Sequence, residues 1–177
     1  MSAPPEAAAG GAAGATLRFA DPWRRLMSLT YEGIILFGVL WFFDYGFSAV
    51  TQFRGEPGLL RNAFQAFTWA VLGAYFVYFW SAGRRTLPMK TMSLLLVDAA
   101  GAPLRAGRAA ARYTIATALP VGALALAHYV SGWLALLIFL PYAWTLFDRQ
   151  HCALYDRLAG TRLIVAAVPA APRRAAA

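Results

Sequence analysis

Two charged side chains mark the start of a long apolar stretch near the N-terminus. Glu32 lies inside this stretch, and Arg25 stands seven residues before it. Seven residues are about two turns of an α-helix, so both side chains would share one face, about 10 Å apart along the axis. A charge at the centre of a membrane span costs about 2.5–3.5 kcal/mol on insertion scales, so Glu32 should face other helices, pair with a cation or be protonated. Its predicted role is either structural, as an ion pair or hydrogen bond between helices, or functional, as an ion or proton site.

The densest group of polar side chains follows the last apolar stretch, from Asp148 to Thr161. It contains His151, Cys152 and Asp156, whose side chains can support acid–base chemistry or bind a metal. No neighbouring residue completes a nucleophile–base pair, and the whole chain holds two histidines and one cysteine. We therefore predict no catalytic residues, no metal site and no cofactor, and a protein that is not an enzyme.

The elements that hold these residues are predicted to be membrane-spanning helices. Hydrophobic residues make up 60% of the 177-residue chain and charged residues 14%, whereas about a quarter of the residues in a soluble domain are charged. A helix needs about 20 mostly apolar residues to cross the hydrocarbon core. The candidate spans are residues 26–50, 62–82, 113–130 and 132–147. The predicted fold class is thus an all-α membrane protein with four transmembrane helices.

Outside these spans the chain has one long internal loop, residues 83–112, and two tails. The apolar run at 94–97 is followed by a turn signal at 98–101, and together they predict a short strand or an interfacial segment. Residues 1–20 are rich in Ala, Gly and Pro, and residues 167–177 in Ala, Pro and Arg. We predict that both tails are disordered and flank a transmembrane domain at 21–166.

Positive charge is distributed unevenly between the two sides of the four predicted spans. The N-terminal segment, the long loop and the C-terminal segment carry 14 of the 16 basic residues, and the opposite side carries Arg54 and Arg61. The positive-inside rule then predicts that both termini and the loop are cytoplasmic. Contact with anionic lipid headgroups accounts for the net charge of +8, so no nucleic-acid partner is predicted.

Other charged residues have simple predicted positions. Arg105, Arg108 and Arg112 are spaced as one face of a helix, which predicts a basic stripe on the headgroups before the third span. Asp44 lies near the outer end of the first span, where we expect it to be solvated at the interface. It is kept as a secondary candidate because carboxylates are uncommon in membrane spans.

Three segments of the chain resemble the RDD family of small bacterial membrane proteins. The first is WRRL at 23–26, with an acidic residue seven positions after the second arginine. The second runs from Gly83 through LVDAAG at 96–101 to Arg112. The third and most specific is LYDRLAGT at 154–161. The resemblance covers about residues 22–165 and implies a protein of the bacterial inner membrane.

The resemblance also implies which residues form the family signature: Arg25, Glu32 and Asp156. Secondary candidates in the matching segments are Arg24, Arg112, Arg157 and Thr161. The chain departs from the family pattern in two places. Glu32 stands where the family has an aspartate, so its carboxylate reaches one methylene further, and Pro88 replaces a glycine and removes a backbone donor.

The matching segments predict two contacts and leave two functions open. Arg25 is expected to be the shared partner of Glu32 and Asp156, and residues 94–97 are expected to pair with 163–165 in a small sheet. The family is often suggested to transport small ions or solutes, which implies transport through Glu32. Because four helices alone are few for alternating access, a homo-oligomer is expected. The alternative is a non-catalytic accessory or assembly subunit of a larger membrane complex.

Overall fold

Three long helices, a broken helical segment and a two-stranded sheet make up the fold. The computed structural model describes residues 19–148 and 152–166. The helices are α1 (Pro22–Thr51), α2 (Leu59–Trp80), α3 (Leu87–Thr91), α4 (Ala106–Tyr129), α5 (Leu140–Phe147) and α6 (Leu154–Leu158), with a 3-10 helix at Gly132–Phe139 directly before α5. The strands are β1 (Leu94–Asp98) and β2 (Thr161–Val165). Residues 1–18 of the predicted N-terminal tail (1–20) and the whole predicted C-terminal tail (167–177) lie outside the described residues, whereas Phe19 bridges to Ile164 and Ala20 is fully buried.

Three helices, α1, α2 and α4, are long and apolar enough to cross a membrane. Their side chains are largely unburied within the chain, and none of the described residues of α2 is buried. Helices whose apolar surface is not covered by the rest of the chain are suited to lipid. The structure therefore supports a mostly helical membrane protein with three candidate spans.

The fourth predicted span, residues 132–147, forms two short pieces instead of one helix. A 3-10 helix of eight residues leads into α5, which has Pro141 in its first turn. Proline lacks the backbone N–H that a continuous helix would use, so the chain changes its helical form here. The segment is shorter than the three candidate spans, and a fourth transmembrane helix is not established by its length.

The sheet pairs two apolar runs that are far apart in the sequence. β1 and β2 are antiparallel, with Leu94 opposite Val165 and Leu96 opposite Leu163. This confirms the predicted pairing of residues 94–97 with 163–165. Phe19 forms a further bridge to Ile164, which brings the start of α1 to the same sheet.

The buried apolar core lies beside this sheet rather than between the long helices. Its members are Ala20, Met89, Leu94, Leu96, Leu104 and Ala109. The turn after β1 is closed by Asp98, whose Oδ1 accepts hydrogen bonds from the backbone N–H groups of Ala100 and Ala102, each at 2.9 Å. Gly160, with φ +63°, ends α6 in a conformation that favours glycine and turns the chain into β2.

Candidate functional site

Asp156 is the centre of a buried charge cluster where α1, α4 and α6 meet. Its side chain is fully buried, and one of its oxygens accepts a hydrogen bond from the backbone N–H of Ala153 at 3.4 Å, in the first turn of α6. A carboxylate without water around it requires cations or donors on both oxygens. Two arginines from distant parts of the sequence supply them.

Arg25 and Arg112 divide the two oxygens of Asp156 between them. Nη1 of Arg25 donates to Oδ2 at 2.8 Å. Nε and Nη2 of Arg112 donate to Oδ1 at 2.9 and 2.6 Å. Burial alone would raise the pKa of Asp156, but Arg112 and Arg25 together outweigh burial and hold that pKa below its usual range. Asp156 is therefore an ionised group that joins the two helices.

Arg112 is held by aromatic rings as well as by Asp156. Its guanidinium carbon lies 4.1 Å from the ring centre of Trp80 and 5.0 Å from that of Tyr155. Both distances are within the range of cation–π attraction. The prediction that Arg112 lies in a stripe on the lipid headgroups is wrong, because this side chain is 6% exposed and turned into the protein.

The other members of that predicted stripe, Arg105 and Arg108, are exposed. Arg108 pairs with Asp98 at 3.2 Å on the surface. Hydrogen bonds from neighbouring backbone N–H groups, above all that of Ala102, lower the pKa of Asp98, and the positive charge of Arg108 lowers it further. Arg108 and Arg112 lie on α4, and Arg105 precedes the helix as its N-cap residue in an extended conformation. The spacing of the three arginines did not separate the buried member from the two exposed ones.

Arg25 connects the start of α1 to the sheet. Its Nε donates to the backbone oxygen of Ala20 at 3.3 Å, and its Nη2 to that of Leu163 at 3.5 Å. The predicted pairing of Arg25 with Asp156 is thus confirmed. The guanidinium fastens α1 both to α6 and to β2.

Glu32 has hydroxyl partners instead of the arginine that the sequence suggested. Tyr75 Oη donates to Oε1 and Thr86 Oγ1 donates to Oε2, each at 2.7 Å. Thr86 in turn accepts the backbone N–H of Met89 at 3.3 Å as the N-cap of α3. Arg25 makes no hydrogen bond to Glu32, so the prediction of one shared partner holds for Asp156 and not for Glu32.

A cavity of about 420 Å³ lies between α1, α4 and α5 and reaches Glu32 and the two arginines that pair with Asp156. Its polar lining includes Arg25, Ser28, Glu32 and Arg112, together with Thr117 and Thr145, and apolar side chains such as Phe76 contribute most of the rest. This volume is within the roughly 300–1,000 Å³ typical of small-molecule sites, which are mostly apolar with a few placed polar groups.

The secondary candidates divide into those near the cluster and those away from it. Thr161 lies beside Asp156, with Oγ1 at 3.4 Å from its backbone oxygen. Arg157 pairs with Asp148, and Arg24 donates from an exposed position to the backbone oxygen of Met92 at 3.4 Å. His151 lies outside the described residues.

Asp44 lies well away from the charge cluster, twelve residues beyond Glu32 on α1. It is half-buried and accepts a hydrogen bond from Thr68 Oγ1 of α2 at 2.9 Å. This carboxylate is therefore a link between α1 and α2 as well as a partly solvated group. Within residues 19–148 and 152–166, no three His, Cys, Asp or Glu side chains are grouped to hold a metal ion.

Five side chains that the sequence analysis did not single out contact Glu32 or Arg112 or, in the case of Ser28, line the cavity beside them. They are Ser28, Tyr75, Trp80, Thr86 and Tyr155. A signal existed for Ser28, which stands three residues after Arg25 and four before Glu32 and so shares their helical face. The aromatic residues and Thr86 lie among many similar residues, and their spacing carries no such signal.

The fold and the site together define a class of protein. Three apolar helices, of which α1 and α4 are joined at one end through ion pairs to a buried carboxylate, fit an integral membrane protein. The family model described as RDD family matches residues 19–160. The chain belongs to the RDD family, as the three sequence segments indicated. No curated protein and no solved structure matches the chain.

Proposed function

We propose that this protein carries a small ion or solute across the bacterial inner membrane, without enzymatic activity. The observation that supports the proposal is the cavity that reaches Glu32, Ser28 and Arg112 between helices suited to lipid. Each oxygen of Glu32 accepts one hydrogen bond, and a carboxylate oxygen can accept two. The carboxylate therefore keeps acceptor capacity for a transported species.

The proposal includes a fourth crossing by residues 132–147. A 3-10 helix rises about 2.0 Å per residue and an α-helix about 1.5 Å, so the two eight-residue pieces extend roughly 28 Å. That length is close to the roughly 30 Å of the hydrocarbon core. Four crossings would leave both termini and residues 83–112 on the side that holds 14 of the 16 basic residues, which is the cytoplasmic side by the positive-inside rule.

Cysteine labelling tests this topology. In a Cys152→Ala background, one variant carries Glu56→Cys in the α1–α2 connection and another carries Arg108→Cys at the start of α4. A membrane-impermeant maleimide applied to intact spheroplasts should label the first variant and not the second. Labelling of Arg108→Cys alone would contradict the proposed orientation, and labelling of both variants would contradict a crossing by α2.

Flux through reconstituted protein tests transport. The purified protein is reconstituted into liposomes. Uptake is then measured under gradients of Na⁺, K⁺ and protons and with a panel of labelled organic acids, amines and amino acids. Glu32→Gln should abolish the flux that the unmodified protein gives. Glu56→Gln is the matched control, since Glu56 is exposed in the α1–α2 connection. A Glu32→Gln protein that folds and transports at the unmodified rate would contradict a role for this carboxylate.

An accessory or assembly role is the second candidate, and the outer surface of α1 favours it. A Cβ built on Gly38, which does not line the cavity, meets nothing within 4 Å, so another helix could approach closely there. Gly122 of α4 is also open, whereas a Cβ on Gly73 of α2 would meet the ring of Tyr113 at 3.0 Å, so Gly73 is used within the chain. An accessory subunit, or a homo-oligomer, would use these open positions.

Purification in mild detergent from native membranes separates the two candidates. An accessory subunit should elute with a larger complex of fixed composition, and Gly38→Leu should release it. A transporter should elute alone or as a homo-oligomer. Glu32→Gln should then reduce flux without changing the elution volume.

A further inference from the structure

Two polar atoms at one end of the cavity have no partner in the described part of the chain. Ser28 is 7% exposed and lines the cavity, and its hydroxyl makes no hydrogen bond to any described residue. Arg112 is 6% exposed and also lines the cavity. Its Nε and Nη2 are used by Asp156, whereas its Nη1 makes no hydrogen bond within the described chain. Since no buried side-chain polar atom of the described residues lacks a partner, these two donors face the cavity and are available to a bound molecule.

The charges around the cavity limit what that bound molecule can be. Arg25, Arg112 and Glu32 line the cavity, and Asp156 lies behind the two arginines. These four side chains have a formal charge of zero when all are ionised. A ligand with a single charge would leave that charge without a counter-charge in an apolar site, which is costly. A zwitterion avoids this cost because it adds one charge of each sign.

We propose that the cavity binds a zwitterion with a large apolar body, of the class of the apolar α-amino acids. Its carboxylate accepts hydrogen bonds from Ser28 Oγ and Arg112 Nη1. Its ammonium group donates to the unused acceptor positions of Glu32. This assignment rests on the proposed function, for which it names the transported substrate class.

The spacing along α1 suits a ligand whose two charges are close together. Ser28 and Glu32 are four residues apart, or about 6 Å along the helix axis, and lie on the same face. A helical side chain slopes toward the N-terminus of its helix, so the long Glu32 side chain leans toward Ser28. A carboxylate and an ammonium on one carbon atom can therefore reach both residues at once.

The apolar lining supplies the site for the rest of the ligand. Leu29 and Leu36 of α1, Phe76 of α2 and Ile138 of the 3-10 helix line the cavity. Burial of an aliphatic or aromatic side chain against such a wall is favourable in proportion to the area covered. A zwitterion without an apolar body, such as glycine, would gain little from this part of the cavity.

Binding of labelled L-phenylalanine and L-leucine to the purified full-length protein tests the ligand class. The competitors are L-leucinamide, which lacks the carboxylate, N-acetyl-L-leucine, which lacks the ammonium group, and glycine. Unlabelled leucine should displace the probe, and each of the three competitors should be at least about tenfold weaker, because a site with buried polar groups rejects a ligand that leaves them unpaired. Equal displacement by leucine and either derivative would overturn the zwitterion assignment.

Two pairs of variants test the location. Gly33 lines the cavity and Gly38 does not, and a Cβ at either position meets nothing within 4 Å. Gly33→Leu should fill the cavity and remove phenylalanine binding, whereas Gly38→Leu should retain it. Ser28→Ala should weaken binding about tenfold, whereas Ser48→Ala, elsewhere on α1, should not. Phenylalanine binding that survives both Gly33→Leu and Ser28→Ala would overturn the proposed site.

Because this experiment measures binding and not flux, the two proposals can fail separately. Phenylalanine binding that depends on Gly33 and Ser28, without flux of any tested species, would support the site and contradict transport. Flux of an ion that depends on Glu32, without any phenylalanine or leucine binding, would support transport and overturn the assigned substrate class.

Discussion

The two ends of α1 differ in what they bury. At the polar end, residues 22–33, Arg25, Ser28 and Glu32 are between 6% and 7% exposed, and these are the buried residues of the whole helix, all of which is described. At the aromatic end, residues 37–51, Phe37 is 73% exposed and Trp41 is 65% exposed. The helix therefore buries three polar side chains and leaves its large apolar ones exposed.

This arrangement is the reverse of a soluble protein and follows from the solvent. Lipid tails are as apolar as the side chains, so burial of apolar surface between helices gives little driving force. Hydrogen bonds and ion pairs hold the polar end instead, because a polar group left in hydrocarbon would be costly. The difference predicts that stability depends strongly on the polar end and weakly on the aromatic end.

Loss of the charge on Asp156 should have the largest effect. Asp156→Asn leaves two buried guanidinium groups without their counter-charge, and breaking a buried pair in this way costs about 3–5 kcal/mol. We expect a large fall in the thermal unfolding temperature of the detergent-purified protein and a low yield. Asp98→Asn is the control, because Asp98 pairs with Arg108 at the surface, and it should leave the melting temperature nearly unchanged. Equal effects of the two substitutions would contradict the difference between buried and exposed pairs.

Acid should remove the same interaction more gradually. The folded-state pKa of Asp156 is below its ordinary value of 3.8, so its stabilising contribution is fully present above that value and is lost as the pH falls through the folded-state pKa. Melting temperatures measured from about pH 7 down to about pH 3 should fall less steeply for Asp156→Asn than for the unmodified protein. Parallel curves would show that Asp156 does not contribute to the acid sensitivity.

Replacement of Arg112 by lysine tests the geometry of the cluster with its charge retained. Arg112→Lys keeps the attraction to Asp156 but loses the paired N–H donors and the planar contact with Trp80. A loss of about 1–3 kcal/mol is expected, measured as a lower midpoint of unfolding in denaturant. Arg108→Lys should have no measurable effect, since Arg108 is exposed. An Arg112→Lys protein as stable as the unmodified one would mean that charge alone holds the cluster.

Removal of one hydroxyl from the Glu32 site should have a smaller effect. Tyr75→Phe deletes the donor to Oε1 while the ring is kept, at a cost of about 1 kcal/mol. Tyr45→Phe provides the comparison at the aromatic end, where the ring stacks on Trp41. The first variant should unfold at a lower temperature than the second. A lower unfolding temperature for Tyr45→Phe than for Tyr75→Phe would contradict the greater importance of the polar end.

The smallest effect is expected at the aromatic end itself. Phe37 is largely exposed to the surroundings of the chain, so Phe37→Leu exchanges one apolar surface for another. The free energy of unfolding should change by no more than about 0.5 kcal/mol, as measured by thermal unfolding in detergent. A larger decrease in the free energy of unfolding would mean that another protein chain covers this surface. Crosslinking of the purified protein would then show whether that chain is a second copy.

The sequence predicts the long helices and the strands of the molecule well, and the hydrogen-bond partners of its polar groups less well. Long apolar runs are sufficient to find α1, α2 and α4, because length and composition decide whether a helix can cross a bilayer. Residues 94–97 and 163–165 are recognisable as strands, since each is a short apolar run beside a turn. The break at Pro141 divides the fourth span into two helical forms, which hydropathy alone does not detect.

The missed contacts at the site share one physical cause. A stripe such as Arg105, Arg108 and Arg112 has the same spacing whether it meets lipid headgroups or a carboxylate from α6. Likewise Glu32 could have met any nearby donor, and the donors are Tyr75 and Thr86, on elements far along the chain. Helical periodicity shows which side chains share a face, but not what packs against that face.

The position of Asp156 near the end of the sequence has a consequence for the way the protein is made. Chains emerge from the ribosome with the N-terminus first, so Arg25 and Arg112 enter the membrane before their shared carboxylate exists. During that interval both arginines lack the carboxylate that they share in the folded protein. The arrival of α6 then supplies it, and a chain that stops short of α6 keeps two unpaired guanidinium groups that distinguish it from a finished one.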